Sequence, residues 1–339
     1  MPMMSHQILV ADVGGTNARF ALATFEAGTL RIDVPTVMQT AEHESLEAAL
    51  GVFLKEKSAP RLDAVAVCAA GPVTGAGHAT SIAMTNCPWE ISRARLAHAT
   101  GVAEPLLMND FAALALAVPH LTAADLFDFG GASADPAAAI AIIGPGTGLG
   151  VGALMPDAGG RYIVIPGEGG HADLTVTTPR ELAVAGQLMK LYGRVSVERV
   201  LSGPGLVSLH ATLCALEGRD GEASSAAHDI ATRARSGTDA LATEAVSLFC
   251  GWLGATAGNL ALTFGARGGV YIGGGIVPGW LAKDAVSETQ IFDAALFQHH
   301  FLNKGRLRPW LAQIPVRIIT RPDPALLGLA HAALASFEA

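Results

Sequence analysis

Backbone amides of consecutive glycines can line a concave site for phosphate oxygens, because no larger residue lets an anion approach so closely. Three stretches of the 339-residue chain have this composition, and each follows an apolar run. Gly14-Gly15-Thr16-Asn17 comes after Ile8-Leu9-Val10-Ala11-Asp12-Val13, and Gly144-Pro145-Gly146-Thr147-Gly148 after Ile140-Ala141-Ile142-Ile143. Gly273-Gly274-Gly275 follows Val270-Tyr271-Ile272. Singly, each suits a plain hairpin at least as well; together they point to a nucleotide. No lysine follows a glycine, so there is no Walker A loop. Gly148-Leu149-Gly150-Val151-Gly152-Ala153 fits G-x-G-x-x-A, but its alternation suggests a strand where that fingerprint needs a helix.

Polar residues near these turns carry two readings each. Asp12 either starts a turn or holds Mg²⁺ through water beside a phosphate, with Thr16 as a further donor. Asn109-Asp110, before an apolar helical run at 111–118, is a helix N-cap or supplies a general base that takes the proton of an attacking hydroxyl. Glu168 and His171, in Pro166-Gly167-Glu168-Gly169-Gly170-His171, suit hydroxyl recognition by an acceptor and a donor, or a solvated turn. Glu198, alone, reads as an exposed residue at a helix start.

The elements that must position these residues follow a repeated grammar. An apolar strand, a glycine turn with a threonine and a second strand occur at 8–24 and again at 140–154. Copies about 130 residues apart are too distant for a solenoid and suit one duplicated domain. An amphipathic helix is expected over 41–57 from Leu46, Leu50, Phe53 and Leu54, and a buried strand over 64–70. Thr178-Pro179-Arg180-Glu181 is a capping box, with Gly193 closing its helix, and Asp323-Pro324 opens a last helix over 325–337. Strands alternating with helices make this an α/β protein.

Composition removes several classes of function. Half the residues are apolar and 15% are charged, which is ample for large cores and excludes general disorder. Net charge is −8 and the lysines are scattered, so no basic stripe tracks nucleic acid. Cys68, Cys87, Cys214 and Cys250 lack zinc-site spacing and read as small buried hydrophobes in a reducing compartment. The first ten residues have no lysine or arginine, unlike a signal peptide, and a cytoplasmic location is expected. Residues 245–266 are uncharged, with Gly254 and Gly258 in G-x-x-x-G spacing, but their glycines and polar residues favour a buried helix over a membrane span.

The chain resembles a bacterial glucokinase of the hexokinase branch of the actin-like ATPase superfamily. The likeness rests on Asp12-Val13-Gly14-Gly15-Thr16-Asn17-Ala18-Arg19, Met84-Thr85-Asn86, Asn109-Asp110-Phe111, residues 144–150 and residues 166–171. It continues through Glu198-Arg199-Val200-Leu201-Ser202-Gly203-Pro204-Gly205 and 268–278, in family order over nearly the whole chain. The resemblance implies a two-lobed actin-like ATPase (ribonuclease H-like) fold, with duplicated α/β domains and an inter-lobe cleft. The small lobe would be 1–119 plus 321–339, and the large lobe 120–320.

It further implies ATP-dependent phosphorylation of D-glucose at the 6-hydroxyl. Asp110 would be the catalytic base, with Asn109, Asp110, Glu168, His171 and Glu198 binding sugar. ATP would be held by Ala11, Asp12, Val13, Gly14, Gly15, Thr16 and Asn17, by Gly144, Gly146, Thr147 and Gly148, and by Gly273, Gly274 and Gly275. Mg²⁺ would accompany ATP, with Asp12 reaching it through water. The C-x-C-G zinc motif of the related ROK kinases does not follow His171, so no zinc is expected. Glucose and ATP are the expected partners, with no nucleic acid or membrane, and a homodimer is compatible with the resemblance. The rival from another class is an actin- or chaperone-like ATPase switch, which has no need of the hydroxyl-binding set Glu168, His171 and Glu198. The residues themselves specify only a polyhydroxylated acceptor.

Overall fold

A strand buried on both faces needs apolar residues in succession rather than in alternation, and the first strand, His6–Val13, is of that kind. Ile8 and Val10 pack with Ala21, Ala23 and Ala66 on one face of its sheet. Leu9, Ala11 and Val13 pack with Phe20, Leu50 and Phe53 on the other. The computed structural model describes residues 5–84, 87–129, 132–281 and 290–337, so Thr85 and Asn86 of the Met84-Thr85-Asn86 segment lie outside it. Contacts divide the chain into two units, residues 1–122 with 321–339, and residues 123–320.

In the first unit the strand order is Thr29–Ile32, Asn17–Glu26, His6–Val13, Ala64–Ala69, Leu106–Asn109, with Thr36–Gln39 also paired to Asn17–Glu26. His6–Val13 is antiparallel to Asn17–Glu26, its hairpin partner, and parallel to Ala64–Ala69. In the second unit the order is Tyr162–Gly167, Leu149–Pro156, Ile140–Pro145, Val270–Ile272, Val316–Ile319, Leu126–Asp128. Ile140–Pro145 is likewise antiparallel to its hairpin partner Leu149–Pro156 and parallel to the strand on its other side, Val270–Ile272. Each sheet thus places a glycine turn between the two strands of its hairpin, and the following parallel strands deliver their C-terminal ends beside that turn. In α/β sheets those ends are where ligands bind.

Helix boundaries depart from the sequence expectations where side chains take other partners. The first long helix is Leu46–Glu56, starting later than residue 41 because Ser45 caps it by accepting the Ala48 amide. The helix after Leu106–Asn109 is Asp110–Ala117, one residue earlier than expected, with Asn109 as its N-cap. The last helix is Pro324–Ala335; Asp323 does not cap it through its side chain but pairs with Arg19 at 2.9 Å. The capping box of Thr178 and Glu181 forms as the spacing requires, and Gly193 ends that helix. The G-x-G-x-x-A match lies along the strand Leu149–Pro156, so it opens no helix.

Residues 245–264 of the uncharged stretch fall on the helix Ala240–Phe264, with Gly265 as its C-cap; the helix is long and apolar enough to cross a membrane by composition, yet 72% of its most apolar stretch is buried. Its small residues make room for the helix Ala294–Leu302. A Cβ at Gly254 would overlap the Phe297 carbonyl, and one at Gly258 would lie 2.6 Å from the Phe301 carbonyl oxygen. Gly254→Val should therefore destabilise the protein by about 1–3 kcal/mol, the usual cost of overpacking. A urea unfolding midpoint equal to that of the parent chain would refute this close packing.

Candidate active site

The first unit gathers carboxylates at the ends of its parallel strands. Asp12 lies opposite Cys68 in the neighbouring strand, and Ala69 lies opposite Asn109 in the next. The Cys68 thiol donates to Asp12 Oδ1 at 3.5 Å. Burial, reinforced by the Asp110 charge, lifts the Asp12 carboxyl to about 6. Burial lifts Asp110 as well, against the Phe111 amide that holds it down. A buried carboxyl whose proton affinity a neighbouring carboxylate raises further favours an incoming cation.

Asn109 and Asp110 divide the two readings of their dipeptide. Asn109 is the cap: its Oδ1 accepts the amides of Phe111 and Ala112 at 2.9 and 3.4 Å, and its Nδ2 donates to the Gly71 carbonyl at 3.1 Å. Asp110 is the first helical residue, with Oδ1 accepting the Phe111 amide at 2.8 Å. The cap fixes the direction of the helix, so Asp110 is presented by a rigid element at the strand end. The Asn109 side-chain amide also hydrogen-bonds the Asp110 carboxylate, which opposes the lift from burial.

The two glycine turns share one design. In the first, the Gly14 amide donates to the Asn17 carbonyl at 2.9 Å. In the second, the Gly146 amide donates to the Gly148 carbonyl at 2.8 Å. Each bond closes its turn, leaving the next two amides, of Gly15 and Thr16 or of Thr147 and Gly148, without an acceptor among the described residues. Unspent amides at a turn are what a phosphate oxygen requires. Ala11 and Val13 are buried with their side chains in the core, so Asp12 alone of that strand end offers a polar side chain.

Thr40, a buried residue with no signal in the sequence reading, pins the first turn. Its Oγ1 donates to the Gly15 carbonyl at 2.8 Å and its amide to the Thr16 carbonyl at 2.9 Å. The third glycine stretch packs over the second turn. The Gly273 amide donates to the Ile143 carbonyl at 2.8 Å. Gly274 has a φ of +79° and lies where a Cβ would overlap the Pro145 carbonyl.

The second unit also brings together Glu168, His171 and Glu198. His171 Nε2 is 4.0 Å from Glu168 Oε2, and its Nδ1 is 4.0 Å from Glu198 Oε1. The loop carrying the first two is glycine-rich for packing reasons. A Cβ at Gly169 would lie 2.7 Å from the Val151 side chain, and one at Gly170 would overlap the Leu149 carbonyl. Glu198 is not an exposed helix-start residue. It lies in the single 3-10 turn Val197–Arg199, and its Oε2 accepts the Leu149 amide at 2.8 Å.

Among the described residues no group of three or more His, Cys, Asp or Glu side chains could cage a metal. Mg²⁺ carried by phosphates takes one or two protein carboxylates and keeps its waters. Asp12, raised by burial and by the Asp110 charge, is the donor fit for that role.

Comparison with known proteins gives the family. The family profile described as Glucokinase matches residues 9–336. The chain belongs to the glucokinase family. It is 45% identical over 322 residues to a glucokinase of Chromobacterium violaceum, covering 95% of this chain and 88% of that protein. A Nitrobacter hamburgensis glucokinase is 40% identical, with 95% of this chain and 96% of that protein covered. The crystal structure of a glucokinase from an Antarctic psychrotroph superposes with a TM-score of 0.84 at 33% identity, covering 97% of this chain and 99% of that one.

Proposed function

We infer that this chain transfers the γ-phosphoryl group of ATP to the 6-hydroxyl of D-glucose. The observation that carries the reading is the convergence of Glu168, His171 and Glu198 next to a turn with unspent amides, within one unit. A hydroxyl-reading cluster beside a phosphate cradle suits a kinase acting on a sugar, whereas a bare ATPase switch needs only the cradle. The repeated strand order supports reading both units as copies of the actin-like ATPase (ribonuclease H-like) domain, with residues 1–122 and 321–339 as the small lobe and residues 123–320 as the large one.

In this mechanism Asp110 accepts the proton of the 6-hydroxyl as that oxygen attacks phosphorus. Asn109, Glu168, His171 and Glu198 hold the remaining hydroxyls, so the attacking oxygen is oriented before reaction. The free amides at 15–16 and 147–148 hold phosphate oxygens, and the 273–275 stretch lies on the adenosine side. Mg²⁺, when bound with ATP next to Asp12, neutralises phosphate charge. Phosphoryl transfer requires mainly such alignment and charge compensation. All four cysteines are free thiols, which fits the reducing cytoplasm as the site of this activity.

His171→Ala tests the reading. His171 is 58% exposed here, and once a bound sugar covers it, a hydroxyl left without this partner costs about 1–3 kcal/mol. Glucose affinity should then fall by roughly 10–100-fold, at about 1.4 kcal/mol per decade. Thermal-shift titrations with glucose and with MgATP on both proteins make the measurement, since a ligand of the folded state raises the melting temperature by an amount that grows with the logarithm of its concentration over Kd. Glucose should shift the parent chain strongly and the variant weakly, with MgATP shifting both alike. A parent chain shifted by MgATP and not by glucose would favour an ATPase switch.

A further inference from the structure

The segment around Glu198 touches both halves of the second unit's site. At its start the Val197 amide donates to the Ala172 carbonyl at 2.9 Å, next to His171. At its end the Gly203 amide donates to the Gly146 carbonyl at 2.8 Å, inside the second glycine turn. Between them the Glu198 carboxylate divides its oxygens: Oε1 faces His171 at 4.0 Å, and Oε2 accepts the Leu149 amide at 2.8 Å, directly after that turn. Gly148 leaves the space that this carboxylate fills, because a Cβ there would lie 2.7 Å from Oε2. Ser202 Oγ braces the segment by donating to the Glu198 carbonyl at 2.9 Å and accepting the Gly205 amide at 3.0 Å.

We propose that Glu198 is a positioning residue that couples acceptor binding to the phosphate turn, beyond its part in holding sugar. The inference rests on the sugar-kinase reading. The carboxylate is 32% exposed, so a sugar hydroxyl can reach Oε1 while Oε2 stays on the Leu149 amide. A hydroxyl bound to Oε1 fixes the side-chain rotamer, and the fixed rotamer holds Leu149 and the turn before it. The nucleotide then meets amides that are already ordered, and its binding costs less conformational freedom. Linkage makes the effect reciprocal: whatever factor glucose adds to nucleotide affinity, nucleotide adds to glucose affinity.

Calorimetric titration of glucose into the full-length protein, with and without saturating Mg²⁺ and the non-hydrolysable analogue AMPPNP, reads that factor. In the parent chain the analogue should tighten glucose by about 5–150-fold, the usual span of coupling between sites. Glu198→Gln keeps an oxygen for the Leu149 amide and should keep most of the coupling, although glucose alone binds less tightly. Glu198→Ala loses the link, and its coupling factor should fall below about twofold, under the range normal for coupled sites. Gly148→Ala displaces the carboxylate from the Leu149 amide while leaving Glu198 in place, and should also lose the coupling. It serves as the readout if Glu198→Ala does not fold.

If either uncoupling variant folds and keeps the parent factor, Glu198 is a sugar ligand only and the proposal is wrong. A parent chain that binds both ligands independently also overturns it, leaving the sugar-kinase reading intact. A parent chain that binds the analogue but not glucose overturns that reading first.

Discussion

Asp110→Asn is expected to lower kcat by about 10²–10⁴-fold, the usual contribution of a positioned general base. The substitution isolates the chemistry from the fold. Asparagine keeps an oxygen for the Phe111 amide, which Asp110 Oδ1 accepts at 2.8 Å, and the helix retains its cap at Asn109. Glucose affinity and melting temperature should therefore change little.

A pH profile adds a second readout. Burial holds the Asp110 carboxyl above the ordinary carboxylate range, so the ionised base is present above that raised value and is lost as pH falls through it. The variant should lose this acidic limb together with the rate. Removing the Asp110 charge also takes away one of the causes that lift Asp12 to about 6, so Asp12 should ionise more readily. A variant with near-parental kcat would leave Asp110 as a helix-start residue and nothing more.

The parts of the fold that are legible in the sequence are those whose physics is local. A strand, a glycine turn and a return strand are contiguous, so both glycine hairpins can be read from their own residues. The capping box at Thr178 and Glu181 spans one helical turn, and it forms. The G-x-x-x-G pair at Gly254 and Gly258 pointed to close helix packing, and the helix Ala294–Leu302 supplies the neighbour.

What was not legible depends on register between distant strands. Cys68 reads as an inert hydrophobe from composition, but the parallel pairing of Ala64–Ala69 with His6–Val13 sets it opposite Asp12, where its thiol donates to the carboxylate. Thr40 gives no signal until the short strand Thr36–Gln39 is laid on Asn17–Glu26 and its end is carried to Gly15. Glu198 was read as a surface residue because its partner amide, Leu149, is 49 positions away. Resemblance to a family could mark Glu198 as a sugar contact. Only the folded chain supplies its second bond.

Gly146→Val should lower kcat/KM for ATP by about 10²–10³-fold, the scale of losing one preorganised donor to a charged group in a catalytic site. Among the glycines of the site, Gly146 gives the cleanest test. A Cβ at Gly148 would lie 2.7 Å from the Glu198 carboxylate and so disturb the sugar side as well, and one at Gly170 or Gly274 would overlap a backbone carbonyl, so none of these positions reads the phosphate side alone. A Cβ at Gly146 meets nothing within 4 Å, and its φ lies outside the left-handed region. The protein itself thus makes no demand for glycine at this position. Any demand comes from what approaches the turn, where the free amides of Thr147 and Gly148 would hold phosphate oxygens. Stability should stay within about 0.5 kcal/mol of the parent chain, as for surface substitutions away from packing. Glucose binding measured without nucleotide should be unchanged. Gly146→Ala, with a smaller side chain, should show a weaker form of the same defect. Unaltered ATP kinetics in Gly146→Val would mean that no phosphate approaches this turn, and the donor site would have to be sought elsewhere.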